Sequence, residues 1–207
     1  MKKLLIAAVM SVAAAGPVFA QAGFYLGVEG GFTFFEDTTD EGADYYINEL
    51  GASTVEVEED RAAFPIRPFA GFELNDNIAL ELGVSFFSRE ITAEGTAGVS
   101  TFKDTYEQSW RIVDYSVLLR PRASGFFGRV GGHSTTFDVD YKRIGTGSVA
   151  DDSSTDSESK SGLLLGLGYD WKIGPGALRA SFTHYTNMPG YEDEYLNLLK
   201  VGYLFKF

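Results

Sequence analysis

The chain has 207 residues, 29 acidic against 17 basic side chains, a formal net charge of −12, two histidines and no cysteine. So acidic a chain, with no basic stripe, is excluded from nucleic-acid binding, and without thiols it has no disulfide framework and no thiol chemistry. With histidines this scarce, no transition-metal site is expected. No cofactor is expected either, because Gly166-Leu167-Gly168 lacks the third glycine and the helix of a dinucleotide fingerprint.

The opening reads as a secretory leader. Lys2 and Lys3 give a positive start, Leu4 to Ala15 is a short apolar stretch, Gly16-Pro17 breaks it, and Val18-Phe19-Ala20 fits a small-residue cleavage site before Gln21. The expected organisation is a signal peptide over residues 1–20 and one barrel domain over residues 21–207. Removing Lys2 and Lys3 takes the formal charge from −12 to −14. No later apolar run is long enough for a membrane helix, so a membrane-embedded mature chain has to be a closed barrel. The mean hydropathy of −0.05 suits that reading, since barrel strands are only half apolar.

Eight segments alternate with period two. The first, Gly23 to Phe34, sets Phe24, Leu26, Val28, Phe32 and Phe34 against Tyr25, Gly27, Glu29, Gly31 and Thr33. The second, about Phe64 to Leu74, sets Ile66, Pro68, Ala70 and Phe72 against Arg67, Phe69, Gly71 and Glu73, and Asn75-Asp76-Asn77 forms a tight turn. The third, Ile78 to Phe87, opposes Leu80, Leu82, Val84 and Phe86 to Glu81, Gly83 and Ser85. The fourth, about Tyr106 to Leu119, opposes Val113, Tyr115, Val117 and Leu119 to Asp114, Ser116 and Arg120, with Arg111 intruding on the apolar parity. A turn at Pro121 to Ser124 leads to the fifth, about Gly125 to Tyr141, with Phe126 and Val130 opposite Phe127, Arg129 and His133. The sixth, Ser161 to Ile173, carries Leu163, Leu165, Leu167, Tyr169 and Trp171 on one face and Gly166, Gly168, Asp170 and Lys172 on the other. Gly174-Pro175-Gly176 is the next turn, Ala177 to Tyr185 the seventh segment, and the eighth closes on Leu199, Val201, Tyr203, Phe205 and Phe207 opposite Lys200, Gly202 and Lys206.

Connections after the second, fourth and sixth segments are short. Those after the others, Phe35 to Ala62, Ser88 to Thr105, Lys142 to Lys160 and Thr186 to Glu194, are longer. The expected fold is therefore all-β: an eight-stranded antiparallel transmembrane β-barrel with short periplasmic turns and long extracellular loops, in the outer membrane of a Gram-negative bacterium. The run Gly71-Phe72-Glu73-Leu74-Asn75-Asp76-Asn77-Ile78-Ala79-Leu80-Glu81-Leu82-Gly83 is similar to the second hairpin of small outer-membrane barrels of the OmpA transmembrane domain and OmpX kind. The resemblance covers nearly all of the chain after Gln21. It implies outer-membrane lipid and lipopolysaccharide as surroundings, and barrel assembly machinery as the reader of the last strand and its Phe207.

With the apolar face toward lipid, Glu29, Arg67, Glu73, Glu81, Asp114, Arg129, Asp170, Arg179 and Lys200 fall inside. A narrow lumen filled by side chains should pair them, because an unpaired buried ion is costly. A gated conduit, in which the pairs swap partners, is the alternative. Phe24, Phe126, Trp171 and Phe207 suit a periplasmic aromatic girdle, and Phe34, Phe86 and Tyr195 an outer one. The first long connection is one-signed, from Glu36, Asp37, Asp40, Glu41, Asp44 and Glu49 to Glu56, Glu58, Glu59 and Asp60; the third adds Asp151, Asp152, Asp156 and Glu158. Such a crown suits an extracellular partner or divalent cations.

His184-Tyr185-Thr186-Asn187 resembles the His-Tyr-Ser-Asn motif of lipid A 3-O-deacylases, which implies a histidine-activated hydroxyl facing lipid. Here the hydroxyl is threonine, the expected acid position is Asn197, and Glu192 and Glu194 lie in the adjoining loop. A triad without a carboxylate loses most of its activity. The expected function is non-enzymatic: an envelope-structural or adhesive surface protein acting through acidic loops. Lipid A deacylation by His184, Thr186 and Asn187, and a narrow ion-conducting pore, are the alternatives.

Overall fold

The computed structural model describes residues 23–35, 39–48, 51–121, 125–147, 149–190 and 195–207. The leader over residues 1–20, and Glu36, Asp37, Glu49, Glu192 and Glu194, lie outside the described residues.

Alternating side chains make strands wherever one face must meet an apolar medium and the other a packed interior. The described chain runs as β1 (Phe24–Phe34), α1 (Thr39–Asn48), β2 (Thr54–Glu59), β3 (Ala62–Ala63), β4 (Ile66–Asn75), β5 (Ile78–Ala97), β6 (Ser100–Leu119), β7 (Phe126–Gly145), β8 (Asp152–Ile173), β9 (Gly176–Thr186) and β10 (Tyr195–Lys206). Eight of them pair antiparallel in the order β1-β4-β5-β6-β7-β8-β9-β10, and β10 pairs β1 to close the barrel. Closure leaves no backbone edge facing hydrocarbon. At one tight turn, the Asn75 side-chain carbonyl accepts hydrogen bonds from the N–H groups of Asn77 (2.9 Å) and Ile78 (3.0 Å). That is an Asx turn joining β4 to β5.

The parity separates the faces cleanly. On β8, Leu163, Leu165 and Leu167 are 67%, 55% and 63% exposed, whereas Leu164 between them is fully buried. Identical side chains differ only in the face they occupy, so the exterior is the apolar surface and the lumen is the packed core. Low on the outside, Phe24 meets Phe72 at 4.8 Å, and Tyr169 meets both Phe126 (4.6 Å) and Trp171 (4.7 Å). Glycines on the inward parity make room. A β-carbon at Gly83 would collide with the Arg67 guanidinium, and one at Gly71 with the Tyr25 ring.

Two expected loops are not loops. β5 and β6 stay paired without a break from Ile78↔Leu119 to Ala97↔Ser100, so Ser88 to Thr105 is mostly ladder and turns at Gly98-Val99, with Gly98 at φ 64°. β7 and β8 likewise pair from Phe126↔Tyr169 to Arg143↔Asp152. Hydrophobic alternation fades above the barrel because both faces meet water there, while the backbone ladder continues. The first connection is structured too, with α1, β2 on the rim of β5 (Thr54↔Thr96 to Glu59↔Ile91) and β3 on β1. A five-stranded sheet β2-β5-β6-β7-β8 thus stands above the barrel. On its inner side Tyr46 of α1 stacks on Phe102 at 5.2 Å, beside Ala52 and Ala93.

Candidate functional site

The inward side chains form layers along the barrel. Near the lower mouth, Arg120 bridges Glu73 (3.0 Å) and Asp170 (3.3 Å), and Lys206 also pairs with Glu73. Above them lies an apolar layer of Tyr25, Phe69, Ala79, Leu118, Phe127, Ala177 and Leu204.

The middle layer is ionic. Arg67 Nη1 donates to Glu29 (2.8 Å), Nη2 to Glu81 (3.1 Å) and Asp114 (2.7 Å), and Nε to Asp114 (2.9 Å). Arg129 Nη2 donates to Glu81 (2.8 Å) and Asp114 (2.9 Å), and its Nε to Ser116 (2.9 Å). Arg179 donates to Glu81 (2.6 Å) and Asp170 (2.7 Å) while its guanidinium lies 4.6 Å from the Phe127 ring centre. Ser181 donates to Glu29 at 2.9 Å, Tyr25 to Glu81 at 3.2 Å, and Tyr185 to Asp114 at 3.4 Å. Lys200 Nζ is 4.0 Å from Glu29 and makes no hydrogen bond among the described residues. Forked guanidinium–carboxylate pairing of this kind compensates charge that water cannot reach.

Eight of the nine inward residues named from the sequence lie in this layer or bond directly to it, and Glu73 lies at the lower mouth, beneath the apolar layer. Parity alone marked them. Arg120, Ser116, Ser181, Tyr25 and Tyr185 join the network as well, and the signal for Arg120 was its shared parity with Asp114 and Ser116.

A hydrophobic plug covers the ionic layer. Phe87, Trp110, Ile112, Phe137, Leu164, Tyr185, Met188, Leu196 and Leu198 are buried together. Trp110 stacks with Phe87 (5.1 Å), Phe137 (4.7 Å) and Phe35 (5.5 Å), and its indole N–H donates to the Pro189 carbonyl (3.1 Å). Arg89 caps the stack, 4.3 Å from the Phe35 ring centre.

The histidine motif sits at the outer rim of β9. His184 Nδ1 lies 2.8 Å from Asn197 Oδ1, and its ring is 5.6 Å from Tyr195. The Thr186 hydroxyl accepts from the Leu163 N–H at 3.1 Å, and the Asn187 amide donates to the Ser161 carbonyl at 2.8 Å. No hydrogen bond joins His184 to Thr186 among the described residues. His133 is an inward residue, with Nδ1 2.8 Å from Thr135 Oγ1 and Nε2 2.8 Å from the Thr186 carbonyl.

The crown has its own polar centre. Buried Asp104 accepts from Arg143 Nε (2.7 Å) and Nη2 (2.6 Å) and from the Tyr46 hydroxyl (2.7 Å). Burial, helped by hydrogen bonds to Tyr106 and Asp104, raises the Tyr46 phenol above its usual range. Burial and the Asp104 carboxylate push Tyr141 up to about 12, and the hydrogen bonds to Asp104 raise Arg143 further. On the outer face, register sets Glu90 opposite Glu107 and Glu107 opposite Asp140. Three carboxylates thus stand side by side on consecutive strands. Among the described residues no group of three or more His, Cys, Asp or Glu is arranged to hold a metal ion.

None of the curated proteins compared with the chain matches it. Solved structures are similar. Ail of Yersinia pestis, in complex with the heparin analogue sucrose octasulfate, shares 12% identity over 89% of this chain and 99% of its own, at a TM-score of 0.49. OprG of Pseudomonas aeruginosa shares 16% over 89% and 96%, at 0.44, and the N-terminal barrel of P. aeruginosa OprF 13% over 87% and 97%, at 0.43. The family model described as the outer membrane protein beta-barrel domain matches residues 4–207. With its closed eight-stranded wall, apolar outside and charged inside, the chain belongs to the outer-membrane protein β-barrel family, and its place is the outer membrane of a Gram-negative bacterium.

Proposed function

We propose that the protein is a non-enzymatic surface protein whose barrel is a stalk and whose protruding acidic sheet recognises a cationic macromolecular partner. The observation that carries this is the row Glu90–Glu107–Asp140 on the outer face of the sheet. Like charges directly opposite on neighbouring strands are mutually unfavourable, and a cationic partner relieves them. The sheet also offers backbone. β9 pairs with β8 only from Leu164 downward, so among the described residues no strand covers that side of Asp152 to Ser159, an edge of the kind a partner can extend. The non-conducting, non-enzymatic reading is supported by the stacked plug around Trp110 and by the Thr186 hydroxyl being held to the Leu163 backbone.

The test uses the mature barrel in lipid nanodiscs and poly-L-lysine as probe. Binding should weaken steeply with salt and fall about tenfold when Glu90, Glu107 and Asp140 are all changed to Gln. The control, Asp152→Asn with Asp156→Asn and Glu158→Gln, removes equal charge at the β8 edge and should lose far less. Equal losses in the two variants would reduce the row to bulk charge and sink the reading. Lipid A mass spectra should be the same with the wild type and with Thr186→Ala; an acyl loss dependent on Thr186 would make the protein an enzyme.

A further inference from the structure

Among the described residues of the barrel wall, an arginine breaks the lipid-facing parity. On the outer face of β6, Leu119, Tyr115 and Val113 are exposed and apolar, and next above them stands Arg111, also exposed. Register places it between Phe86 on β5 and Thr136 on β7. The next row up is Ser88–Ser109–Asp138, and the row above that is Glu90–Glu107–Asp140. Arg111 therefore sits where the apolar band ends and hydroxyls begin, below the acidic row. The nearby Asp138 carboxylate is engaged by Ser157 at 2.6 Å, and among the described residues Arg111 has no carboxylate within ion-pair distance.

A charged arginine in hydrocarbon is costly at the bilayer centre and nearly free at its boundary. At that boundary it meets lipid headgroups, and a guanidinium fork matches a phosphate in two parallel hydrogen bonds. Ser109 and Thr136 on the same face offer further donors, and Phe86, 41% exposed, offers a wall for the first methylenes of an acyl chain.

We infer that Arg111, with Ser109, Thr136 and Phe86, forms a site on the outside of the barrel for the phosphate of a phosphorylated outer-leaflet lipid. The site is independent of the acidic partner surface above it. It anchors the barrel at a set depth and holds a lipid against β5–β7.

The test is native mass spectrometry of the mature barrel released from micelles doped with lipid A, either phosphorylated or enzymatically dephosphorylated. The wild type should retain the phosphorylated lipid about tenfold better than the dephosphorylated one. Arg111→Gln should retain both alike, and Arg111→Lys, which keeps the charge and loses the fork, should fall between them. Barrel closure in each variant is read from its heat-shifted gel mobility, and Arg111→Lys carries the test if Arg111→Gln does not fold. An undiminished preference for phosphorylated lipid A in a folded Arg111 variant would overturn the assignment. Displacement of the lipid by millimolar inorganic phosphate would overturn its lipid source.

Discussion

Strand β8 passes through two environments. Its lower half, Leu163 to Ile173, turns leucines outward and packs Leu164 and Asp170 inward; its upper half, Asp152 to Ser159, is serine, threonine and acid, exposed on both faces. The backbone pairing with β7 is the same in both halves. Ladder hydrogen bonds are thus indifferent to the medium, and side chains decide where the lipid stops. The lower region is held by buried charge and close packing, the upper by exposed pairs such as Asp138–Ser157 and Asp140–Thr155, and by α1 docked through Tyr46.

The two regions should break differently. Arg67→Ala leaves Glu29, Glu81 and Asp114 buried without their shared cation and should cost about 3–5 kcal/mol, read as a lower urea midpoint for unfolding in detergent micelles. A midpoint unchanged from wild type would mean that the ionic layer is already hydrated and compensated by other means.

Within β8, Leu165→Arg should cost about 2–4 kcal/mol because it presents charge to hydrocarbon, while Ser154→Arg, at an exposed position on the same strand, should stay within about 0.5 kcal/mol, as exposed changes do. Insertion into vesicles measures both, and equal effects would erase the boundary drawn between the halves.

Tyr46→Phe removes the hydroxyl that Asp104 accepts from and should loosen α1 by about 1–3 kcal/mol, seen as faster proteinase K cleavage near residues 39–48 with the barrel core intact. The same latch is pH-sensitive. Tyr46 and Tyr141 have folded pKa values above the ordinary 10, so their contribution is complete below pH 10 and is lost as pH rises, for Tyr141 through about 12. Tyrosinate absorbance should therefore lag behind free tyrosine over that window, with crown cleavage rising as it appears; titration of Tyr141 at 10 would remove this account.

The smallest effect is stabilising. Glu107→Gln relieves repulsion from both Glu90 and Asp140 and should gain about 0.2–1 kcal/mol per pair. Slower crown proteolysis at low salt, converging with wild type at high salt, would show it. A loss of stability would mean that the row is already neutralised.

How far the sequence could be read follows from the same contrast. Alternation made the lower strands and their lumen residues legible, because lipid outside and packing inside impose opposite demands on neighbouring positions. It failed for Ser88 to Thr105 and Lys142 to Lys160, where water on both faces removes the demand while the ladder persists. Arg111 looked like noise on β6 and is the mark of the boundary. Trp110 was hidden because its segment begins without clean alternation, and its partners Phe35, Phe87, Phe137 and Pro189 come from four other stretches of the chain.

The sequence by itself determined the eight-strand count, the lipid-out parity and nine of the charges that face inward, since each follows from neighbours one or two residues apart. Only the closed tertiary structure decided which of those charges share a level. Arg179 reaches Glu81 across 98 residues, and Ser181 reaches Glu29 across 152. Such contacts depend on the stagger accumulated around the barrel and on β10 meeting β1, a global register that no local pattern carries.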